Sequence, residues 1–157
     1  KSGLAGEIGH ITYMTDGRVC QCGKLGCIEA YASGSSIGRI AGELMNADGA
    51  PMDTQMVCDA ARNGNQTALG VLRDAAGAMG RAVSIAAHTL DPEVITLGTM
   101  AVKASELLMP EVLRVVEKEV WVHIRRNLTV IPSPLGDKVQ DLAAISAFLG
   151  RTTAELE

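Results

Sequence analysis

Apolar residues recur at helical spacing through the middle of the chain. From Gln66 to Leu90 they alternate at steps of three and four residues, which predicts the longest helix. The apolar residues expected to face the core from it are Leu69, Leu72, Ala76, Met79, Val83, Ala86 and Leu90. Gly77 and Gly80 each weaken a helix by about 1 kcal/mol relative to alanine, so they predict a close crossing by another backbone.

Shorter helices are predicted before this one. Residues from Glu29 to Met45 carry apolar side chains at three- and four-residue steps, and the turn at 46–51 ends that helix. A short helix from Thr54 to Arg62 stops at Asn63-Gly64-Asn65. Residues 29–90 are therefore predicted to be a helical region.

Strands and helices alternate in the last part of the chain. Val94–Leu97 is predicted to be a short buried strand, and Asn127–Ile131 is a second strand candidate. A helix begins near Ser105 or Pro110 and runs to about Ile124, and a final helix covers Val139 to Leu149. The residues expected to face inward from the first of these helices are Leu113, Val116 and Val120. This order is typical of a parallel α/β layer, which we predict for residues 91–157.

The densest group of chemically distinctive residues lies within residues 7–29. His10, Cys20, Cys22 and Cys27 are separated by nine, one and four residues. One imidazole and three thiolates make a complete four-coordinate donor set for zinc, so a metal bound here would be structural. Tight folding around an ion needs positive φ angles, which glycine adopts readily. The glycines beside the cysteines are Gly17, Gly23 and Gly26.

The cysteines also allow two other interpretations, a disulfide and unliganded reduced thiols. Cys20 and Cys22 are too close in sequence to pair easily with each other. Without a secretory signal, thiols clustered near a histidine favour metal binding. Cys58 lies alone in a helical stretch and is predicted to be a small buried hydrophobe.

Composition excludes several classes of protein. The chain has 157 residues, of which 47% are hydrophobic, so it can bury a core and is predicted to form a single lobe, residues 1–157. Charged residues make up 20%, the net charge is -4, and no basic run exceeds Arg125-Arg126, so we expect no nucleic-acid partner for this segment. There is no apolar run long enough to span a membrane and no signal peptide at the start, so no membrane association and a cytoplasmic location are expected.

Two segments carry a resemblance to a known family. Gly6–His10 and Cys20–Ser33 resemble, almost position for position, the signature of the ROK family, which comprises repressors, open reading frames and sugar kinases. The resemblance extends less sharply through Asp91–Ile95 to Leu135-Gly136, so it covers most of the chain. It implies an α/β fold, the C-terminal lobe of the actin-like (ribonuclease H-like) sugar kinase fold, with a zinc-binding loop.

The resemblance also implies roles for individual residues. Those implied to bind zinc are His10, Cys20, Cys22 and Cys27. The residues implied to hydrogen-bond sugar hydroxyls are Glu7, His10 and Glu29. For His10 this agrees with its chemistry, because a metal on one imidazole nitrogen leaves an oriented N–H donor on the other. Taken without the resemblance, Glu7 fits an exposed strand residue equally well. Glu29 likewise fits a carboxylate favoured at a helix start.

The residues for phosphoryl transfer are mostly missing from this chain. In the family, the phosphate-binding turn and the catalytic base precede the signature, which places them upstream of Lys1, so we assign no catalytic residue. Because the chain begins without methionine, we expect a fragment that is inactive alone. The family's second glycine-rich turn corresponds to Leu97–Ala101. Gly98 is retained there as a nucleotide contact, but Thr99 brings a branched side chain where adenosine is expected to approach the backbone.

The sequence supports two main functions. The first is a glucokinase-like kinase that uses ATP and magnesium to phosphorylate a hexose or N-acetylhexosamine, with this chain as its sugar- and zinc-binding lobe. The second is the sugar-sensing half of a transcriptional repressor, which the altered glycine turn favours. A zinc-stabilised binding module with neither role is a third. The resemblance further implies a homo-oligomer.

Overall fold

A computed structural model of the chain describes residues 4–138, 141–142 and 145. The helix predicted from Val139 to Leu149 lies for the most part outside the described residues. Residues 4–138 form helices and a two-stranded sheet. In chain order the elements are a 3-10 helix (Ile8–His10), α1 (Glu29–Ala32), α2 (Gly34–Met45), α3 (Thr54–Arg62), α4 (Gln66–Leu90), β1 (Val94–Leu97), α5 (Met100–Lys103), α6 (Ser105–Glu119), α7 (Val122–Arg125), β2 (Thr129–Pro132) and a 3-10 helix (Gly136–Lys138). None of the described helices has the length and apolar character that a membrane crossing requires.

The long helix α4 is the centre of the molecule, and its predicted bounds are confirmed. It packs against α1, α2, α3 and α6. The backbone crossing predicted from its glycines occurs at Gly80, where a Cβ would lie 2.7 Å from Val115 Cβ and 3.1 Å from Val112 O of α6. Gly77 instead faces a side chain, the Tyr13 hydroxyl, 3.2 Å from the position of a Cβ.

The predicted core face of α4 is correct except at its end. Leu72, Ala76 and Val83 are buried, whereas Leu90 is 71% exposed. Leu90 belongs to the last turn, and Asp91 beyond it takes a left-handed conformation with φ 46° that ends the helix. Residues on other faces of α4 are buried as well, because helices cover it from several sides. They are mostly small: Ala68, Val71, Ala75, Gly77, Ala78, Gly80, Ser84 and Ala87.

The helix predicted from Glu29 to Met45 is two helices, and Ser33 separates them. Ser33 has an extended backbone with ψ 150°, and its hydroxyl accepts a hydrogen bond from the Ser36 N–H at 3.1 Å. Serine is a favoured N-cap because its side chain satisfies an amide that has no partner within the helix. The predicted start of α3 is confirmed, and Asp53 caps it in the same way by accepting from the Gln55 N–H.

The two strands form the predicted parallel pair, with Val94 opposite Thr129 and Leu97 opposite Pro132. The prediction that β1 is buried is wrong, because its residues alternate between exposed and half-buried positions and Val94 is 52% exposed. Only one face of the pair packs on the helical core. Pro132 lies at the last position of β2, where its missing N–H interrupts no further ladder bond.

The helix expected to reach Ile124 ends at Glu119. Val120 is extended, with ψ 128°, and the short α7 follows it. Val116 and Val120 face inward as predicted, but Leu113 is 44% exposed. The inward row of α6 runs through Leu108, Val112 and Val116 at steps of four, which leaves Leu113 one position outside it.

The crossing of α4 and α6 can be tested with two glycines of the same helix. Gly80→Ala brings a Cβ into Val115, so we expect a loss of about 1–3 kcal/mol in the free energy of unfolding. Gly70→Ala is the matched control, because no atom lies within 4 Å of its Cβ position and the helix gains up to about 1 kcal/mol. Urea unfolding measures both, and equal stabilities would contradict the crossing.

Candidate functional site

Residues 11–28 fold into a compact segment that we call the cysteine loop. Isolated antiparallel bridges join Thr12 to Cys27 and Val19 to Leu25. Within it, the Cys20 N–H donates to the Lys24 carbonyl at 2.8 Å, which closes the tip of the loop. These local main-chain bonds bring residues that are distant along the loop to one side of it.

Two of the predicted glycine positions adopt the expected backbone. Gly23 has φ 85° and Gly26 has φ 70°. At Gly26 a Cβ would also overlap the Met14 carbonyl, so both the conformation and the space require glycine. Gly17 does not have a positive φ, and that prediction is wrong. It is required for space instead, because a Cβ there would overlap the Tyr31 hydroxyl.

The cysteine loop gathers the four predicted metal donors. The donor atoms of His10, Cys20, Cys22 and Cys27 all lie within 4.8 Å of one another. The Cys22 and Cys27 sulfurs are 3.6 Å apart, and Cys20 Sγ is 3.7 Å from His10 Nδ1. Around a tetrahedral zinc with Zn–S of about 2.3 Å and Zn–N of about 2.0–2.1 Å, such distances are about 3.8 Å and about 3.6 Å. The donor set and its spacing therefore fit a structural zinc ion.

The three clustered thiols differ in environment. Cys22 is exposed, and a hydrogen bond from the Lys24 main chain lowers its pKa. Burial raises the pKa of Cys27 to about 11. A cation coordinated by both sulfurs would hold both as thiolates despite this difference. All four cysteines are unpaired thiols among the described residues, and Cys58 is buried in the helical core as predicted.

The two carboxylates predicted to contact a sugar flank the His10 ring. Glu29 Oε2 is 3.4 Å from His10 Nδ1, and Glu7 Oε2 is 4.0 Å from His10 Nε2. The exposed fractions of the three side chains are 38% for Glu29, 61% for Glu7 and 36% for His10, so a solute can reach all of them. Glu7 precedes the first 3-10 helix and is not a strand residue. Glu29 is the first residue of α1, as the helix-start interpretation also requires.

The main chain of His10 is fixed by two contacts from the cysteine loop. Lys24 Nζ donates to the His10 carbonyl at 2.6 Å, and the Cys27 thiol approaches the same oxygen at 3.6 Å. On the other side, a Cβ at Gly9 would lie 3.5 Å from Glu29 Cβ, so the 3-10 helix rests directly on α1. The main chain around His10 is therefore held from both sides.

Arg18 and Tyr31 anchor the loop to the helices. The Tyr31 hydroxyl accepts from the Arg18 N–H at 2.9 Å, and the Tyr31 ring packs edge-on against Tyr13. The Arg18 guanidinium donates to Glu43 of α2 at 2.5 Å, which lowers the pKa of that carboxyl. Sequence reasoning missed Arg18. An arginine without a charged neighbour in sequence gives no signal of a partner 25 residues away.

The remaining aromatic and histidine residues have structural positions. His88 joins α4 to the start of α7, with Nδ1 2.8 Å from the Ser84 carbonyl and Nε2 accepting from the Trp121 N–H at 3.2 Å. Trp121 is 61% exposed, and its ring lies against that of His123 with centroids 4.5 Å apart.

The turn after β1 keeps a glycine-like backbone at a threonine. Thr99 has φ 42° and ψ -94°, which is unusual for a β-branched residue and costs about 1–3 kcal/mol. Beside it lies a cavity of about 200 Å³ lined partly by Asp53, Thr54 and Lys103. A larger cavity of about 460 Å³ extends from Asp53 and Thr54 to Glu29. The two cavities share Asp53 and Thr54 as lining residues.

Three comparisons place these features among known proteins. The chain is 29% identical to a glucokinase of Thermotoga maritima, over 96% of this chain and 51% of that protein. It is 28% identical to an N-acetylglucosamine repressor of Escherichia coli, over 94% of this chain and 37% of that protein. Its structure matches a ROK family glucokinase from Streptomyces griseus in complex with glucose and AMPPNP. That match has a TM-score of 0.71 and 28% identity, and it covers 87% of this chain and 48% of that one.

The chain thus spans about half or less of the length of the relatives it matches. The predicted α/β fold is confirmed, and it is shared with ROK sugar kinases of the actin-like fold. Both kinases and repressors are among the relatives, so the family alone does not choose between the two functions. The family model covers residues 1–148, and the chain belongs to the ROK family.

Proposed function

We propose that the chain is the sugar- and zinc-binding portion of a ROK-family sugar kinase that transfers a phosphoryl group from ATP to a hexose, as a glucokinase does. The observation that carries this proposal is the arrangement around His10. Nδ1 of its ring lies 3.7 Å from Cys20 Sγ and 3.4 Å from Glu29 Oε2, and Nε2 lies 4.0 Å from Glu7 Oε2. The ring therefore joins a metal donor set to an exposed pair of carboxylates.

In this proposal the zinc-binding loop is structural and orients the histidine. His10, Cys20, Cys22 and Cys27 hold the ion, with His10 coordinating through Nδ1. A bound zinc confines the ring proton to Nε2, which makes that edge a donor of fixed direction. A sugar hydroxyl that accepts from Nε2 then lies beside Glu7, since the two groups are 4.0 Å apart.

Glu7 and Glu29 are proposed to accept hydrogen bonds from other hydroxyls of the same sugar. Each charge-assisted bond of this kind contributes about 1.5–3 kcal/mol. A sugar with one hydroxyl misplaced leaves a desolvated carboxylate without a partner, and this loss discriminates between epimers. Both carboxylates have their oxygens within 4.0 Å of one ring, so they serve a single small ligand.

Two cavities support placing a nucleotide near the sugar. Glu29 lines the larger one, Thr99 lines the smaller one, and Asp53 and Thr54 line both. Gly98 is the proposed nucleotide contact, and ATP with magnesium is the proposed donor. The related glucokinase of S. griseus was crystallised with glucose and AMPPNP together. We assign no catalytic residue within residues 1–157, which we treat as one lobe, and expect no phosphoryl transfer by this lobe alone.

The second candidate is the sugar-sensing half of a transcriptional repressor, and Thr99 favours it. The side chain of Thr99 lines the smaller cavity at the turn where nucleotide would approach, which reduces the room for adenosine. Similarity to the E. coli repressor is consistent with this role. In it, DNA would be bound by another part of the protein, because this chain carries a net charge of -4. A cytoplasmic location and a homo-oligomer stay predictions for both candidates.

Zinc content tests the metal site directly. We expect about one zinc per chain by elemental analysis, and a much lower content in Cys22→Ser, because a site with three remaining donors binds the ion more weakly. Cys58→Ser is the matched control, since this buried thiol lies outside the cluster and should leave zinc unchanged. A fully folded wild-type chain that takes up no zinc would contradict the site.

Calorimetric titration with glucose and N-acetylglucosamine tests the sugar site. Glu29→Gln should weaken binding at least about tenfold, which is about 1.4 kcal/mol, because the neutral amide makes weaker bonds to hydroxyls. Glu117→Gln is the control, since Glu117 is 71% exposed and pairs with Arg125 instead. Cys22→Ser should lose sugar and zinc binding together. Full sugar affinity in zinc-free Cys22→Ser would separate the two roles.

Nucleotide consumption distinguishes the kinase from the repressor. The complete gene product should transfer the γ-phosphoryl group of ATP to one or more sugars of a hexose panel, giving ADP and a sugar phosphate, and the 157-residue chain alone should not. Thr99→Gly should bind ATP more tightly, because it removes the side chain and suits the positive φ. Thr129→Gly, at an exposed strand position with ordinary φ, is its control. If the complete product consumes no ATP with any sugar of the panel but binds DNA in a sugar-dependent way, the repressor function would be established instead.

A further inference from the structure

We propose that Cys22 and Cys27 form an oxidation site for peroxides. Joining the two sulfurs in a disulfide removes two of the four metal donors and so switches off the sugar site. The loss of sugar binding rests on the function proposed above. The disulfide itself rests only on the positions of the sulfurs.

The two sulfurs are already close enough for a small movement to join them. They lie 3.6 Å apart, and a disulfide bond is about 2.05 Å long, so one sulfur must approach the other by about 1.6 Å. Gly23 follows Cys22 directly, has φ 85°, and has no atom within 4 Å of its Cβ position. Space is therefore open beside the residue that follows Cys22.

The exposures of the thiols decide which sulfur reacts first and which completes the bond. Cys22 is exposed, whereas Cys27 is 0% and Cys20 is 4% exposed. A dissolved peroxide therefore reaches Cys22. Cys20 is separated from Cys22 by a single residue, a spacing that disfavours a disulfide, which leaves Cys27 as the partner. Cys58 belongs to a different core cluster and is out of reach.

The chemistry balances with hydrogen peroxide as the oxidant. The Cys22 thiolate attacks one peroxide oxygen, the O–O bond breaks, and a sulfenic acid and hydroxide form. The Cys27 thiolate then attacks the sulfenic sulfur, forms the S–S bond and expels a second hydroxide. Two thiolates and one peroxide thus give one disulfide and two hydroxides, and the sulfurs supply both electrons.

The Cys22–Cys27 disulfide affects the proposed sugar site through His10. With Cys22 and Cys27 joined, only His10 and Cys20 remain of the donor set, which is too few for a structural zinc site. Once the metal ion is lost, the ring proton is no longer confined to Nε2, the edge that faces Glu7. Oxidation therefore lowers sugar affinity without blocking the site physically.

The experiment treats the zinc-loaded chain with hydrogen peroxide and measures zinc release with a colorimetric chelator, together with intact mass and a peptide map. We expect release of about one zinc per chain, a mass loss of about 2 Da and a peptide pair linking Cys22 to Cys27. Dithiothreitol with added zinc should reverse all three. Cys58→Ser should behave as wild type. Cys22→His keeps a four-donor set without the exposed thiol, so it should retain zinc under the same treatment.

Three results would overturn the proposal. They are a crosslink through Cys20, a crosslink between chains, and oxidation of Cys22 to sulfinic or sulfonic acid with Cys27 left reduced. Sugar titration before and after treatment separates this proposal from the proposed function. A reduced, zinc-loaded chain that binds no sugar contradicts the function, while the crosslink and zinc release would still establish the oxidation site.

Discussion

The position of one imidazole constrains the chemistry that this chain can perform. His10 lies with one ring edge 3.7 Å from a cysteine sulfur and with carboxylates 3.4 Å and 4.0 Å from its two nitrogens. Lys24 and Cys27 hold the main-chain carbonyl of the same residue, which fixes the backbone from which the ring projects. The ring lies between the sulfur cluster and the exposed carboxylates, so the candidate metal site and the proposed sugar site share His10.

The helices provide the rigid support that such a short loop lacks. Small residues along α4 let α6 approach at Gly80 and let Tyr13 approach at Gly77, so one helix contacts the core on one side and the cysteine loop on another. Tyr31 then joins the loop to α1, and Arg18 joins it to α2 through Glu43. Exposed ion pairs contribute little to stability individually, so the close packing around α4 carries most of this support.

Sequence predicted what depends on local spacing and missed what depends on distant contacts. The periodicity of apolar residues gave the bounds of α3, α4 and β1, and the cysteine spacing gave a donor set that needs only local folding to assemble. The break at Ser33 is an exception, because it is local: residues 33–36 are Ser-Gly-Ser-Ser without an apolar side chain, and serine is a favoured N-cap. The exposure of Leu113 depends on how α6 rotates against α4, which one-dimensional spacing does not define. The pair of Arg18 with Glu43 likewise exists only after the chain has folded.

At the turn after β1, the backbone conformation suits glycine, but the residue is a threonine. Its φ of 42° at Thr99 is one that glycine adopts without cost, and a β-branched residue persists there only because the surrounding structure holds it. The strand before it and α5 after it fix both ends of the turn, so the main chain keeps its shape although the residue disfavours it. The side chain at residue 99, and not the backbone, is therefore what distinguishes this turn from one that carries glycine at the same position.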